Sequence, residues 1–196
     1  MSGPRRLVVP LAVGLLALAA LSGCVPTPAP SPSDAGPTAS ASGTASASPT
    51  PSPTASTVST PITIGCSALI TPDDIYAFNP NFGLINSWTP KAGSAAATAT
   101  SEQGIACRWS NQTSGDTIDI SAAHLDAATI ESLKNDAVEK STMVPTYGDE
   151  AYFSVSGGVG TAIVFQGDYW LVATSIDFLE PGDPADLITA ALSALN

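Results

Sequence analysis

The residues of this chain best suited to chemistry are its single histidine and its three cysteines. His124 lies two residues before Asp126, and any Ser-His-Asp arrangement would have to be built around this one imidazole. No serine lies in the G-x-S-x-G pattern that exposes the nucleophile of many hydrolases. We therefore predict that His124 is a surface or capping residue and that the chain has no catalytic residue.

Acidic side chains form two groups with some catalytic or cation-binding potential. Four of them recur every three residues near the C terminus: Asp177, Glu180, Asp183 and Asp186. The D-x-[DN]-x-[DN]-G pattern of a calcium loop is absent, and Asp183 and Asp186 fit the start of a helix. Asp149 and Glu150 would need another carboxylate about 5 to 10 Å away to hydrolyse a glycoside, whereas a turn followed by a strand also explains them. We predict no metal and no cofactor, with an acid-dependent hydrolase as the alternative.

The charge balance narrows the range of partners. Lys and Arg total 6 and Asp and Glu total 17, which gives a net charge of −11. Proteins that bind phosphate backbones or anionic lipid headgroups neutralise them with clustered Lys and Arg. Nucleic acid is therefore excluded as a partner, and so is adsorption to an anionic membrane surface.

The N terminus has the features of a secretory signal peptide. Arg5 and Arg6 precede an apolar run over residues 7–21, which is shorter than the roughly 20 residues of a spanning helix. Residues 21–24, Leu-Ser-Gly-Cys, resemble the bacterial lipobox. This resemblance implies that residues 1–23 are removed and that Cys24 carries a lipid anchor on its sulfur. Two or more acyl chains give stable anchoring. The alternative is an ordinary signal peptide with an incidental cysteine.

Residues 24–61 have the composition of a disordered tether. Pro, Ser, Thr, Ala and Gly make up almost all of this segment, and Asp34 is its only charged residue. Such a composition has too few apolar side chains to form a core. The 36 residues from Val25 to Thr60 would span on the order of 35 Å as a coil. We expect a single folded domain over residues 62–196 that stands away from the membrane.

Cys66 and Cys107 remain as a pair once Cys24 is assigned to lipid. The leader sends the chain to an oxidising compartment, where an even number of cysteines favours a disulfide. Metal-bound thiolates are the alternative, but no histidine or third cysteine lies nearby in the sequence. We predict a Cys66–Cys107 disulfide.

Helix and strand signals follow one another along the folded domain. Capping residues followed by apolar residues at helical spacing predict helices that begin at Pro72, after Asp126 and after Asp183. Apolar alternation between Gly-rich turns predicts five strands, at residues 104–110, 117–124, 150–155, 161–166 and 170–178. The order of these elements is typical of an α+β domain, with an antiparallel sheet of about five strands packed by two to three helices.

Residues 79–103 show little periodicity and are expected to form a long irregular loop. Phe82 and Trp88 lie in this segment. An aromatic ring in a surface loop can close a pocket or contact a partner, so both are candidate partner or ligand contacts. The sequence favours packing onto the sheet for both rings, as it does for the strand residues Trp109, Phe165 and Trp170.

The chain resembles secreted actinobacterial lipoproteins that carry a Pro/Ser/Thr-rich tether and a small domain of unknown function. The resemblance rests on the lipobox at Cys24, the segment 66–72, the Cys107-Arg108-Trp109 strand and the segment 148–151. It implies an envelope location and an α+β fold of the PsbP-like type. It implies no catalytic residues.

The sequence predicts a membrane-anchored extracytoplasmic protein on the outer face of the cell membrane. We expect a binding or accessory module without catalytic activity that contacts an envelope protein, a wall polymer or a small ligand. The alternatives are the acid-dependent envelope hydrolase and the ligand-binding component of a transporter. The second is disfavoured because such components usually close two lobes around a ligand, and residues 62–196 make one.

Overall fold

The structure, a computed structural model, describes residues 59–196. The signal peptide, Cys24 and the tether up to residue 58 lie outside the described residues. The last residues assigned to the tether belong to the fold, because Ser59 is buried and the Thr60 N–H donates to the His124 carbonyl at 3.0 Å. The folded domain thus includes residues before the predicted boundary at Ile62.

A single antiparallel sheet organises the described residues. Its seven strands are Phe82–Leu84 (β1), Ile105–Asn111 (β2), Thr117–His124 (β3), Thr142–Met143 (β4), Glu150–Ser156 (β5), Val159–Gln166 (β6) and Tyr169–Ser175 (β7). The strand order is β1-β2-β3-β7-β6-β5-β4. The sheet therefore joins the hairpin β2–β3 to the meander β5–β7 through the pairing of β3 with β7.

Helices cover both faces of this sheet. The five in the described range are Cys66–Leu69 (α1), Pro72–Phe78 (α2), Ala95–Ser101 (α3), Ala127–Lys140 (α4) and Ala185–Leu195 (α5). Alternate strand residues point to opposite faces, and buried side chains accordingly form two clusters. One contains side chains of α1, α2 and α5, and the other contains side chains of α3 and α4. None of the helices from residue 59 onward is long and apolar enough to cross a membrane.

The predicted α+β class is confirmed, and so are several local signals. Thr71 and Asp74 form a capping box at the start of α2. The Asp126 carboxylate accepts hydrogen bonds from the backbone of Ala128 and Thr129 at the start of α4, which ends at Lys140. These caps satisfy N–H groups that have no partner within the helix. The predicted hairpin and meander form with nearly the expected bounds.

The strand and helix counts were predicted too low, because four short elements give little periodic signal. Residues 79–103 are not a continuous irregular loop, since they contain β1 and α3. The helix α3 is an Ala/Thr run capped by Ser94, and its small side chains produce only weak amphipathicity. The helix α1 has four residues and the strand β4 has two, so each spans only about one period and no repeating pattern can be recognised.

Three finer expectations are wrong. Val138 is exposed, although Ile130 and Ala137 of the same helix are buried, because it lies about 80° around the helix from Ile130. The last strand ends at Ser175 and not at residue 178. Asp183 does not cap α5: its carboxylate accepts hydrogen bonds from the preceding loop, at the N–H groups of Leu179 and Glu180.

Candidate functional site

Trp88 lines a surface cleft with a volume of about 580 Å³. Gly65 and the first turn of α1 line one side, and residues 84–88, which leave β1, line the other. The Ile85 N–H still donates to the Arg108 carbonyl at 2.8 Å. The chain then departs from the sheet, and Pro90 has no N–H with which to continue the pairing. Trp88 is thereby held beside the edge of the sheet.

A guanidinium group positions the Trp88 ring. The Arg108 Cζ lies 4.1 Å from the centroid of this ring, which is a cation–π contact. Arg108 is fixed in turn by Asp119, to which its Nε and Nη2 both donate at 2.6 Å. The hydrogen bonds from Arg108 to Asp119 raise the pKa of Arg108 above its usual value, although burial acts in the opposite direction. The ring is therefore held by a permanently charged group.

The predicted disulfide forms the other side of the cleft. Cys66 in α1 is bonded to Cys107 in β2, with their Cα atoms 5.5 Å apart. Cys107 is buried in the core, whereas Cys66 also lines the cleft. The disulfide thus attaches the four-residue helix α1 covalently to β2, the strand next to the edge strand β1, which holds Ser67 in place opposite Trp88.

The side chains of the cleft combine an aromatic surface with neutral hydrogen-bonding groups. Asn86, Ser67 and Ser87 supply an amide and two hydroxyls next to Trp88. None of the ten described residues that line the cleft carries a charge. This chemistry suits an uncharged ligand that has both an apolar face and hydroxyl groups, because a ring can stack on the apolar face while amide and hydroxyl groups bond the rest.

Phe82, the other aromatic candidate, is part of the core. It is 6% exposed, pairs with Asn111 as the first residue of β1, and packs edge-on against Phe78. Packing onto the sheet is therefore the interpretation that holds for Phe82, because β1 brings it under α2. Trp109, Phe165 and Trp170 are buried in the core as predicted.

A second opening, which we call the apolar groove, lies at the far margin of the sheet. It has a volume of about 570 Å³ and is lined by β4, β5 and the loop that follows β7. Met143, Val155 and Leu179 line it and are 64%, 49% and 66% exposed. Sequence reasoning missed this groove, because the three residues come from separate segments that only the fold brings together.

The remaining candidate residues occupy structural positions. His124 is the last residue of β3, and its ring packs edge-on against Tyr169. Glu150 accepts a hydrogen bond from Tyr152, which is the main reason why its pKa is lowered, and it also pairs with Lys134 at 3.0 Å. Asp149 accepts a hydrogen bond from the Gly167 N–H.

The acidic residues near the C terminus do not converge on a cation site. Within residues 59–196, no three His, Cys, Asp or Glu side chains form a group that could hold a metal ion. Burial and the nearby Asp116 raise the pKa of Asp177. The Asp183 carboxylate accepts hydrogen bonds from backbone N–H groups of its own loop.

Comparison with protein-family models, curated proteins and solved structures finds no match to this chain. The resemblance to actinobacterial lipoproteins and the PsbP-like type of the fold therefore stay predictions.

Proposed function

We propose that this chain is a lipid-anchored extracytoplasmic binding module that performs no chemistry and binds a neutral polymer or oligosaccharide of the cell wall at the Trp88 cleft. The observation that carries the proposal is the fixed Trp88 ring, which Arg108 holds 4.1 Å from its guanidinium carbon in a cleft lined by uncharged residues. Such a ring loses little freedom when it contacts a ligand, so more of the contact energy remains as affinity.

The location rests on the sequence before the folded domain. The apolar run over residues 7–21 ends at the lipobox-like residues 21–24. The Pro/Ser/Thr-rich residues from Cys24 up to residue 58 would let the domain extend away from the membrane. The disulfide between Cys66 and Cys107 supports an oxidising compartment, since such bonds persist outside the cytoplasm.

The neutral ligand class follows from the charges around the cleft. The nearest guanidinium is already neutralised by two hydrogen bonds to Asp119, so it offers little to an anion. A ligand carboxylate or phosphate would also approach a chain of net charge −11. An uncharged sugar ring avoids this repulsion and presents C–H groups to Trp88 and hydroxyls to Asn86.

Anchoring is tested by replacing the proposed lipidation site. The Cys24→Ala variant is expected to leave the membrane fraction, because it has no sulfur to acylate. Ser31→Ala is the matched control, since it alters a nearby residue and leaves both Cys24 and the Cys66–Cys107 disulfide in place. Unchanged partitioning of Cys24→Ala would contradict the anchoring part of the proposal.

Ligand binding is tested with detergent-solubilised full chain and a neutral oligomer of N-acetylglucosamine. Trp109 and Trp170 are 2% and 5% exposed, so a change in the tryptophan fluorescence of wild type would report on Trp88. Isothermal titration calorimetry, which does not depend on this ring, compares the variants. Trp88→Ala is expected to weaken binding by roughly tenfold or more, whereas Tyr76→Ala removes an exposed aromatic ring outside the cleft and should not. Equal binding by both variants would contradict the assignment of this cleft.

A further inference from the structure

The apolar groove concentrates exposed hydrophobic surface in one place. Met143, Val155 and Leu179 are three of the seven large apolar side chains that are exposed within residues 59–196. Phe153 and Val144, which are nearly buried, also line the groove. Exposed apolar surface that is continuous with a core and bounded by polar residues is typical of an interaction site.

The groove lies at an edge of the sheet that has an open backbone position. The outermost strand, β4, pairs only through Thr142 and Met143, opposite Phe153 and Tyr152. The Val144 N–H donates to the Ala151 carbonyl. The backbone N–H and C=O groups of successive residues point alternately to the two sides of a strand. Val155 follows Ala151 by four residues, so its N–H and C=O point to the same edge as those of Ala151. No described strand lies beside Val155 there.

The charge around the groove is negative. Glu180 lines it, and Asp177 and Asp183 lie in the same loop. None of the described Lys or Arg residues lines it. Within the described range, three of the four basic side chains are paired with carboxylates elsewhere: Arg108 with Asp119, Lys134 with Glu150 and Lys140 with Asp136. A partner segment with Lys or Arg is therefore favoured over one with acidic residues.

The groove also lies at the end of the sheet opposite to the start of the described chain. Thr60 pairs with His124, which lies opposite Tyr169 at the beginning of β7. Leu179 and Glu180 follow the other end of β7, after seven strand residues, which is a distance of about 20 Å. A domain attached through residues before Thr60 would present the groove away from its attachment.

We propose that the apolar groove docks an extended segment of a partner protein, in which apolar side chains alternate with Lys or Arg. The segment's backbone pairs with Val155 at the open edge, and its apolar side chains contact Val155 and Leu179. Its basic side chains project from the opposite side of the extended segment and are attracted by the net charge of −11 of the chain. This is strand addition, in which backbone bonds give affinity and side-chain contacts give specificity. The inference does not depend on the Trp88 cleft.

The test uses the full chain in detergent and three fluorescent synthetic peptides. In the first, valine alternates with lysine; in the second, glutamate replaces each lysine; in the third, serine replaces each valine. We expect saturable binding of the valine–lysine peptide and at least tenfold weaker binding of the other two. Equal binding of the serine–lysine peptide would overturn the proposal, since it would show attraction by charge alone.

Variants locate the binding surface. Leu179→Ser and Val155→Thr are each expected to weaken binding of the valine–lysine peptide at least fivefold, whereas Tyr76→Ser, at an apolar residue 68% exposed outside the groove, should leave it unchanged. Unchanged melting temperatures of the two groove variants would show that the fold is intact. Absence of binding, or binding that neither groove variant weakens, would overturn the proposal. So would a dimer of the full chain that Leu179→Ser dissociates, because the occupant would then be a second copy.

Discussion

Arg108 and Asp119 lie directly opposite each other on β2 and β3 and are joined by two parallel N–H···O bonds of 2.6 Å. The Trp88 ring rests on the same guanidinium. One ion pair between two neighbouring strands thus sets the position of an aromatic ring in a different segment. A change in this ion pair should therefore alter the position of the Trp88 ring in the cleft.

Asp119→Asn is expected to lower the free energy of unfolding by about 1 kcal/mol, because both side chains are partly exposed and water weakens their attraction. It should also alter Trp88 fluorescence, since the guanidinium loses its anchor. Urea denaturation followed by tryptophan emission measures both effects. Asp136→Asn, which breaks the exposed pair with Lys140, is the control and should leave both close to wild type.

Removing the disulfide should be among the most destabilising changes. The bond closes a loop with a sequence separation of 41 residues, and the chain-entropy model assigns it about 4 kcal/mol. The double variant Cys66→Ser/Cys107→Ser is expected to unfold at a much lower urea concentration than wild type. Wild type with a reductant should behave like the double variant, and an unchanged midpoint in both would refute the prediction.

Removal of the hydroxyl group should change the free energy of unfolding in opposite directions at two buried tyrosines. The Tyr147 hydroxyl is the only buried side-chain polar atom within residues 59–196 that has no hydrogen-bond partner. Tyr147→Phe should raise stability by up to about 1 kcal/mol, because an unpaired polar group leaves the core. Tyr152 donates to Glu150, so Tyr152→Phe should lower stability by about 1 kcal/mol. Denaturation at neutral pH compares the pair, and a loss of stability in Tyr147→Phe would contradict the first expectation.

The same tyrosines should make the fold sensitive to alkali. Burial raises the pKa of Tyr147 from 10.0 to about 12, and the hydrogen bond to Glu150, followed by burial, raises the pKa of Tyr152 to about 12. Between pH 10 and about pH 12 the unfolded chain releases the hydroxyl protons of both tyrosines, while the folded chain retains them. The stability that the two groups contribute is therefore fully present below pH 10 and falls as the pH rises towards 12. Tyr147→Phe/Tyr152→Phe should show a shallower fall in melting temperature over this window. An equally steep fall would show that other groups control it.

Gly160 is expected to be intolerant of any side chain. A Cβ at this position would overlap the backbone carbonyl of Phe178, which is itself fully buried. Gly160→Ala should therefore cost at least about 2 kcal/mol, because a packed backbone must move. Gly182→Ala is the matched control, since a Cβ there has no neighbour within 4 Å. Thermal unfolding of the two variants checks the contrast, and similar melting temperatures would contradict it.

Long periodic segments explain what could be predicted of the fold from sequence. The meander and α5 place apolar residues with a regular period, and the caps at Thr71 and Asp126 mark where helices begin. The sequence does not reveal the helix α3, because its buried residues Ala96 and Ala99 are small and resemble their half-buried neighbours. Short elements obtain their stability from tertiary contacts, which local patterns do not record.

The same limit applies to the functional surfaces. The sequence does not distinguish Trp88 from Phe82 as a candidate surface contact, since both are aromatic residues in an aperiodic segment. Phe82 enters the core because β1 pairs with the end of β2, a contact between residues almost thirty positions apart. The apolar groove had no sequence signal, because Val155 reads as an ordinary strand residue and Leu179 as an ordinary loop residue.

The disulfide also determines how the domain would bear a mechanical load. A pulling force that arrives through the chain before Ser59 reaches Cys66 within a few residues and then passes through the sulfur atoms into β2. The helices α1 to α3 lie inside the closed loop and are bypassed, so about 130 Å of chain cannot be drawn out. Tension between the proposed lipid anchor and the proposed partner at the apolar groove would act on the strands from β2 to β5, which resist it together, while the short helices stay unloaded.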